Sequence, residues 1–198
     1  SFTRSTYSLR LKMSSEIAST NPVVHAVLGG TAPRPAQLAA SRGILPLPQS
    51  DLLEILVSFY NGDDAELREN ARGTLVEQST DGLENSLRSP DIAPSVLAYF
   101  ASQATLPTSL HEAILTNTRT PGDAVADFAR KTQNGQLLEL LSFNQQLLIQ
   151  NPAVIDAIIA NPQRTPEAER RASETKREFF EKERGAQQIA DELRARGQ

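Results

Sequence analysis

The stretch PSVLAYFASQATLPTSLHEAILTNTRTPGDAV, residues 94–125, repeats one pattern, in which a proline precedes a short segment with apolar residues at helical spacing. Prolines recur here and further along the chain at intervals of thirteen or fourteen residues: Pro94, Pro107 and Pro121, then Pro152 and Pro166. Proline is tolerated at the first position of a helix, because its missing N–H would have no intrahelical partner there. Each of these prolines therefore predicts the start of a helix.

Three of the prolines follow a residue that is favoured as an N-cap, namely Thr120, Asn151 and Thr165. The side-chain oxygen of such a residue accepts a hydrogen bond from a free N–H group of the first helical turn. The sequence therefore predicts that each of these three residues caps the helix that it precedes.

The segments after the prolines carry apolar residues at three- and four-residue spacing, which predicts helices with one buried face. Such short helices are marginal alone, since most helical stability in proteins comes from packing. A regular succession of them is typical of a solenoid, in which each unit packs on its neighbours. The residues that form these faces are Val96, Leu97, Phe100, Leu110, Ile114, Leu115, Val125, Phe128, Ala129, Val154, Ile155, Ala157, Ile158 and Ile159.

The Thr-Pro or Asn-Pro start followed by a short apolar helix resembles the repeats of HEAT-like and leucine-rich-variant solenoid proteins, over about residues 81–171. In those families the repeats build a curved surface for a protein partner, or sometimes for nucleic acid, and the resemblance implies such a surface here. The pattern is interrupted between Lys131 and Asn151, where Gly135 stands in place of a proline. Short apolar helices separated by prolines also occur in bundles without repeats, and this alternative remains open.

Composition favours an all-α protein. Of the 198 residues, 39% are hydrophobic and only 5% are aromatic, which suits closely spaced helices. We expect an α-solenoid-like domain of short stacked helices over residues 21–165. We also expect a disordered extension over residues 1–20 before this domain, and a charged C-terminal helix over residues 166–198 after it.

The chain contains no cysteine, which excludes disulfides, thiolate metal sites and a catalytic thiol. This composition is compatible with a reducing cytoplasm, the compartment that we expect. No apolar run approaches the roughly 18 residues that a membrane-spanning helix requires. We therefore expect a soluble protein with no membrane partner.

The N-terminal residues 1–12 carry Arg4, Arg10 and Lys12 among serines and threonines, with no acidic residue. Met13, which two serines follow, has the appearance of a natural start, so the preceding residues are interpreted as an extension. A transit peptide shares this composition and is the alternative interpretation.

Acidic residues outnumber basic residues in the body of the chain. Residues 13–164 contain sixteen acidic and nine basic residues, whereas residues 165–198 contain eight of each. Nucleic-acid binding depends on clustered Lys and Arg, so this distribution argues against a nucleic-acid partner. It predicts instead a protein partner with a basic or amphipathic segment.

The first half of the chain predicts further helices. Asp51 to Tyr60 is the strongest amphipathic segment there, and we expect it to anchor the N-terminal layer. Gly43 is placed to adopt the left-handed conformation that ends a helix. The remaining predictions are a helix from Pro22 to Leu28, a helix over 36–42, an extended connector over 44–48 that lies in a groove, a helix over 65–78 with Leu67, Ala71, Leu75 and Val76 inward, and a helix over 83–88.

The C-terminal segment from Glu167 to Arg196 predicts a charged helix, and Gly185 is where we expect a bend. Its large apolar residues are Phe179, Phe180, Ile189 and Leu193, which we interpret as a partner-binding or self-association surface. The simpler alternative is a solvated terminal helix, in which Phe179 packs back on Ile158 and Ile159 while Phe180 is partly exposed.

Motifs with catalytic or metal chemistry are incomplete. His111-Glu112 resembles the beginning of a zinc-protease helix, but Leu115 occupies the position of the second histidine, and His25 is the only other one. Gly29-Gly30 is better interpreted as a helix stop, and Gly62-Asp63-Asp64 as a turn that caps a helix. We therefore predict no catalytic, cofactor-binding or metal-binding residue, and no cofactor.

The predicted function is accordingly that of a non-enzymatic protein-interaction module with an acidic surface. Two alternatives remain open. One is an enzyme or ligand-binding protein with a pocket between helical layers, where a histidine lies against two carboxylates. The other is a structural subunit of a larger assembly, for instance a homo-oligomer formed through the C-terminal helix.

Overall fold

This computed structural model describes residues 16–197 of the chain. These residues contain twelve helices, joined by loops and turns, and no strand. The all-α class is thus as predicted. The helices are α1 (Pro22–Leu28), α2 (Arg34–Ser41), α3 (Gln49–Tyr60), α4 (Ala65–Val76), α5 (Thr80–Arg88), α6 (Pro94–Ala101), α7 (Thr108–Thr116), α8 (Gly122–Lys131), α9 (Gly135–Phe143), α10 (Gln145–Gln150), α11 (Pro152–Ala160) and α12, which continues through Pro166–Lys176, a π-helical segment Arg177–Glu181, and Lys182–Ala195.

The prolines mark helix starts as expected. Pro94, Pro152 and Pro166 are the first residues of their helices, whereas Pro107 and Pro121 stand one residue before theirs. The fixed φ of proline suits either position, because the N-cap and the first turn both precede the first intrahelical N–H donor.

Only one of the three predicted N-caps is confirmed. Thr165 accepts a hydrogen bond from the N–H of Ala168 at 3.1 Å. The Thr120 hydroxyl instead donates to the carbonyl of Ile114, and the Asn151 amide donates to the carbonyl of Leu147. Those two predictions are wrong, because both side chains turn back to the end of the preceding helix, where carbonyl groups also lack partners.

Contacts between helices follow two rows. In the first row α3 packs on α6, α6 on α8, and α8 on α11. In the second row α5 packs on α7, α7 on α9, and α9 on α12. Their buried faces form two hydrophobic clusters, one extending from α1 to Ile114 and the other from Leu115 to α12.

Two asparagines tie successive helices of a row together. Asn117, directly after α7, donates from Nδ2 to the carbonyls of Leu87 and Ser89 at the end of α5, at 2.7 and 3.0 Å. Asn161, directly after α11, donates in the same way to two carbonyls at the end of α8. Because each asparagine ends one helix and caps the end of its neighbour, the two helices of each pair run in the same direction.

The N-terminal layer is organised around α3, as predicted. This helix contacts α1, α2, α4, α5 and α6, and buries Leu53, Ile55 and Leu56 completely. Gly43 has the expected positive φ of 72°. Val76, in contrast, is 79% exposed, so its predicted inward position is wrong. Val76 follows the buried Leu75 directly, and at 100° per residue its side chain points away from the face that Leu67, Ala71 and Leu75 form.

The connector between α2 and α3 is non-helical, as its prolines predict. Leu45 and Leu47 pack against the first cluster, whereas Ile44 is exposed, so only part of the connector is covered. Residues 16–20, within the predicted extension, lie against α3, where the Glu54 carboxylate accepts hydrogen bonds from the N–H groups of Ala18 and Ser19. The expectation for residues 1–15, and for residue 198, lies outside the described residues.

None of the helices described here is both long enough and apolar enough to cross a membrane.

Candidate functional site

A cleft lies where three loops of the described chain meet. It has a volume of about 650 Å³ and is bounded by the α6–α7 loop, the α8–α9 loop and Thr165 before α12. Leu106, Phe128 and Leu137 contribute apolar surface, and Asp127 and Lys131 contribute the charged groups. A volume of several hundred Å³ is in the range of small-ligand sites.

His111 lines this cleft and is held in place by two contacts. Its Nε2 lies 3.0 Å from the carbonyl oxygen of Gln103, and its ring packs edge-on against Phe128 with centroids 4.8 Å apart. Since a carbonyl can only accept, Nε2 carries the proton of that hydrogen bond. With 6% of its surface exposed, His111 closes the α6–α7 loop onto α7 and forms part of the cleft wall.

The charges of the cleft compensate each other. Asp127 pairs with Lys131 at 2.8 Å and lies 3.8 Å from Arg130. All three residues lie on the same face of α8. It is the only carboxylate in the cleft lining among residues 16–197, so His111 does not face two carboxylates there. Within the same residues, no three His, Cys, Asp or Glu side chains are grouped to hold a metal ion.

The other motifs singled out in the sequence have local structural roles. His25 places its Nε2 2.6 Å from the carbonyl of Ser19. Gly30, with φ of 79°, follows the end of α1. Asp64 caps α4 by accepting from the N–H of Leu67 and pairs with Arg34. These two hydrogen bonds, the one from Arg34 first, lower the pKa of Asp64 from 3.8 to about 2.

Three glutamates occupy the same position on three successive helices of the second row. Glu84, Glu112 and Glu139 each lie five residues after the N-cap of their helix, in α5, α7 and α9. In all three helices the residues four, seven and eight positions after the N-cap are buried. At 100° per residue, the glutamates therefore lie about 100° from the buried stripe. We call this set the acidic line.

The acidic line has few internal partners. Glu84 pairs with Arg88 of its own helix at 3.1 Å, whereas Glu112 and Glu139 form no ion pair within the described part of the chain. On α12 the equivalent position is Arg170, which bonds to Glu167 and Glu174. The hydrogen bond from Arg170 is the main cause of the lowered pKa of Glu167. The line therefore ends at a cation that its own helix already compensates.

An exposed aromatic ring lies at the end of α9, close to the acidic line. Phe143 is 64% exposed, and the Arg171 guanidinium lies 3.5 Å above its ring centroid. Arg171 also pairs with Glu167 at 2.8 Å, while its Nη1 is buried with no hydrogen-bond partner among the residues described. A shallow depression formed by Leu115, Leu140 and Phe143 extends from this ring.

The four residues predicted as a partner-binding surface have different surroundings in the structure. Phe180 packs, half-buried, against the second cluster, whereas Phe179 is half-buried but outside that cluster. Ile189 and Leu193 lie beyond it, 60% and 44% exposed. The simpler alternative, with Phe179 as the packed ring, assigned the two phenylalanines in the wrong order.

The π-helical segment Arg177–Glu181 explains this order. Ala168, Ala172 and Thr175 are the buried residues of α12, and an uninterrupted α-helix would place Phe179 next in line. A π-turn inserts one extra residue, so the inward position moves on to Phe180. The predicted irregularity at Gly185 is wrong, because the helix is regular there and departs from α geometry eight residues earlier.

The sequence pattern did not predict the acidic line or the asparagine caps, and it left a pocket between helical layers only as an alternative. The signal for the acidic line is the two-helix period, which places equivalent residues about 28 positions apart, as in Glu84, Glu112 and Glu139. The interval from proline to proline is half that period. It marks helix starts, but successive helices belong to different rows, so it does not align equivalent positions of one row.

Comparison of the chain with protein-family models, with curated proteins and with solved structures finds no match to any of them.

Proposed function

We propose that the chain is a non-enzymatic, cytoplasmic helical repeat protein that binds a protein partner along the acidic line. The observation that carries this proposal is the recurrence of a glutamate at one helical position, in Glu84, Glu112 and Glu139, on three neighbouring helices. Packed helices lie about 8–10 Å apart, so the carboxylates form a row at that interval.

The two rows of parallel helices support a solenoid arrangement. Helices of a row pack on the helix before and after them, and they also pack on helices of the other row, as the units of a repeat array do. Asn117 and Asn161 provide the same connection at two places in this array. The extra helix α10 accounts for the interval in which the proline pattern is interrupted.

The chemistry of the surface indicates a basic or amphipathic partner segment. Carboxylates without internal partners attract Lys and Arg, and repel the phosphates of nucleic acid. The exposed ring of Phe143 and the depression beside it offer an apolar contact next to these charges. Association of this kind weakens as salt concentration rises, because exposed charges are screened.

The test uses a short fluorescent peptide of lysine and leucine and measures its binding by anisotropy. The triple variant Glu84→Gln, Glu112→Gln and Glu139→Gln should weaken binding about tenfold, since exposed ion pairs contribute about 0.2–1 kcal/mol each. The affinity of the unmodified protein should also fall with added salt, and that of the variant should fall less.

A matched control removes the same charge elsewhere, by Glu16→Gln, Glu69→Gln and Glu77→Gln, all at exposed positions. If both triple variants weaken binding equally, attraction by the net charge explains the binding and the acidic line is not the site. Co-purification from a cell extract provides an independent check. Enriched partners that are no more basic than the background proteins would refute the electrostatic basis of the proposal.

The cleft favours a second candidate function, the binding of a small ligand. Its volume of about 650 Å³ and the nearly buried His111 in its wall are the observations in support. Gln136 is exposed at its rim, so Gln136→Trp should block the cleft without disturbing the core. A compound that raises the melting temperature of the unmodified protein but not that of this variant would establish the second function.

A further inference from the structure

The last part of α12, Lys182–Ala195, has an apolar stripe that the rest of the described chain leaves uncovered. It buries no residue, and its main contacts are with the π-helical segment that precedes it. Ala186, Ile189, Ala190 and Leu193 follow one another at three- and four-residue spacing and so share one face. Ile189 is 60% and Leu193 is 44% exposed on that face.

The order of charges along this segment is reversed between its two ends. At the beginning, Lys182 is followed by Glu183, and at the end, Glu192 is followed two residues later by Arg194. At 100° per residue, Lys182 lies within the stripe, on the side of Ile189 and of Glu192, whereas Glu183 and Arg194 lie together on the opposite flank. The two ends therefore carry opposite charges on each side of the stripe.

We propose that a second copy of the chain covers this stripe, with the two helices antiparallel. In an antiparallel pair related by a two-fold axis, each flank faces the same flank of the other helix. Lys182 then lies beside Glu192 of the second copy, and Glu183 lies near Arg194 of the second copy. Symmetry repeats both attractions, which gives four intermolecular ion pairs.

Side-chain size agrees with this register. Alignment of Lys182 with Leu193 of the second copy also places Ile189 opposite Ala186, a large residue against a small one. The aliphatic part of Lys182 covers Leu193 while its ammonium group reaches Glu192. A parallel, in-register pair would instead bring Lys182 against Lys182, and like charges across a helical seam destabilise it.

The absence of cysteine from the chain allows a direct test by disulfide cross-linking. Lys182→Cys and Leu193→Cys are made as separate proteins, both at exposed positions where substitution leaves the fold intact. Oxidation of the mixture should give a covalent dimer, and oxidation of either protein alone should give little. Gln188→Cys, on the opposite face of the helix, sets the background of random collision.

Each result of the cross-linking decides the proposal. Efficient cross-linking of either single variant alone would show a parallel pair and overturn it. Cross-linking of the mixture no greater than that of Gln188→Cys would show that this face does not pair, and would also overturn it.

Sedimentation of the unmodified chain provides the second measurement. The average molecular mass in solution should rise with protein concentration. This rise should be smaller in high salt, because part of the attraction between the two copies is ionic. Ile189→Gln with Leu193→Gln should weaken dimerisation at least tenfold while helical circular dichroism and melting temperature are retained, as both residues are exposed in the monomer. Dimerisation unchanged by this double substitution would contradict the proposal.

Discussion

The side-chain amide of Asn161 donates a hydrogen bond of 2.8 Å to the carbonyl of Ala129, thirty-two residues earlier in the chain. A second bond from the same nitrogen reaches Thr132, and the amide oxygen accepts from the N–H of Gln163. One buried side chain thereby satisfies the end of α8 and fixes the loop that leads into α12.

Replacement of Asn161 by alanine should therefore destabilise the protein. Two buried carbonyls lose their partners, and an unsatisfied buried group costs about 1–3 kcal/mol. Urea unfolding followed by circular dichroism measures the change. Asn85→Ala, at an exposed position of α5 whose side chain makes no hydrogen bond among the described residues, is the control and should change the stability by less than about 0.5 kcal/mol. Equal effects of the two substitutions would contradict the assigned role.

Two glycines should respond to alanine in opposite directions. A Cβ on Gly135 would lie 2.5 Å from the carbonyl oxygen of Gln163, whereas one on Gly73 in α4 would meet no atom within 4 Å. Gly135→Ala should cost about 1–3 kcal/mol, because backbone must move to relieve the contact. Gly73→Ala should stabilise by about 0.5–1 kcal/mol through helix propensity. Thermal unfolding of both variants shows whether the signs differ.

The two phenylalanines of the π-helical segment should differ in their contribution to stability. Phe180→Ala should lower the free energy of unfolding by about 1–3 kcal/mol, less than for a fully buried ring, because Phe180 is only half-buried against the second cluster. Phe179→Ala should have a smaller effect. Chemical denaturation of the two single variants tests this order. The reverse order would show that α12 is α-helical through residues 177–181 in solution.

The ion pair between Arg34 and Asp64 should make stability depend on pH in the acidic range. Because the pKa of Asp64 is lowered from 3.8 to about 2, its stabilisation is complete above pH 4 and is lost as the pH falls toward 2. In Arg34→Gln, nuclear magnetic resonance titration should show the pKa of Asp64 closer to 3.8. Arg72→Gln, which removes a cation at 3.9 Å from Glu69, is the control and should leave the pKa of Asp64 unchanged.

The sequence by itself determined the features that arise from neighbouring residues. Proline at Pro94, Pro152 and Pro166 fixed helix starts, because its φ value and missing N–H act within one turn. Periodic apolar residues fixed the buried faces of α3, α7 and α11, since helical geometry alone brings such residues to one side. These local rules were sufficient for the all-α class and for most helix boundaries.

Tertiary structure decided what depends on groups distant in sequence. Asn161 found its carbonyls only because α8 and α11 run side by side, a contact between residues about thirty positions apart. Phe180 rather than Phe179 packs against the second cluster because the π-helical segment shifts the buried face by one residue. The spacing of apolar residues in the sequence does not predict this shift. The acidic line likewise exists only where packing sets three helices beside each other, since carboxylates 27 or 28 residues apart have no local interaction.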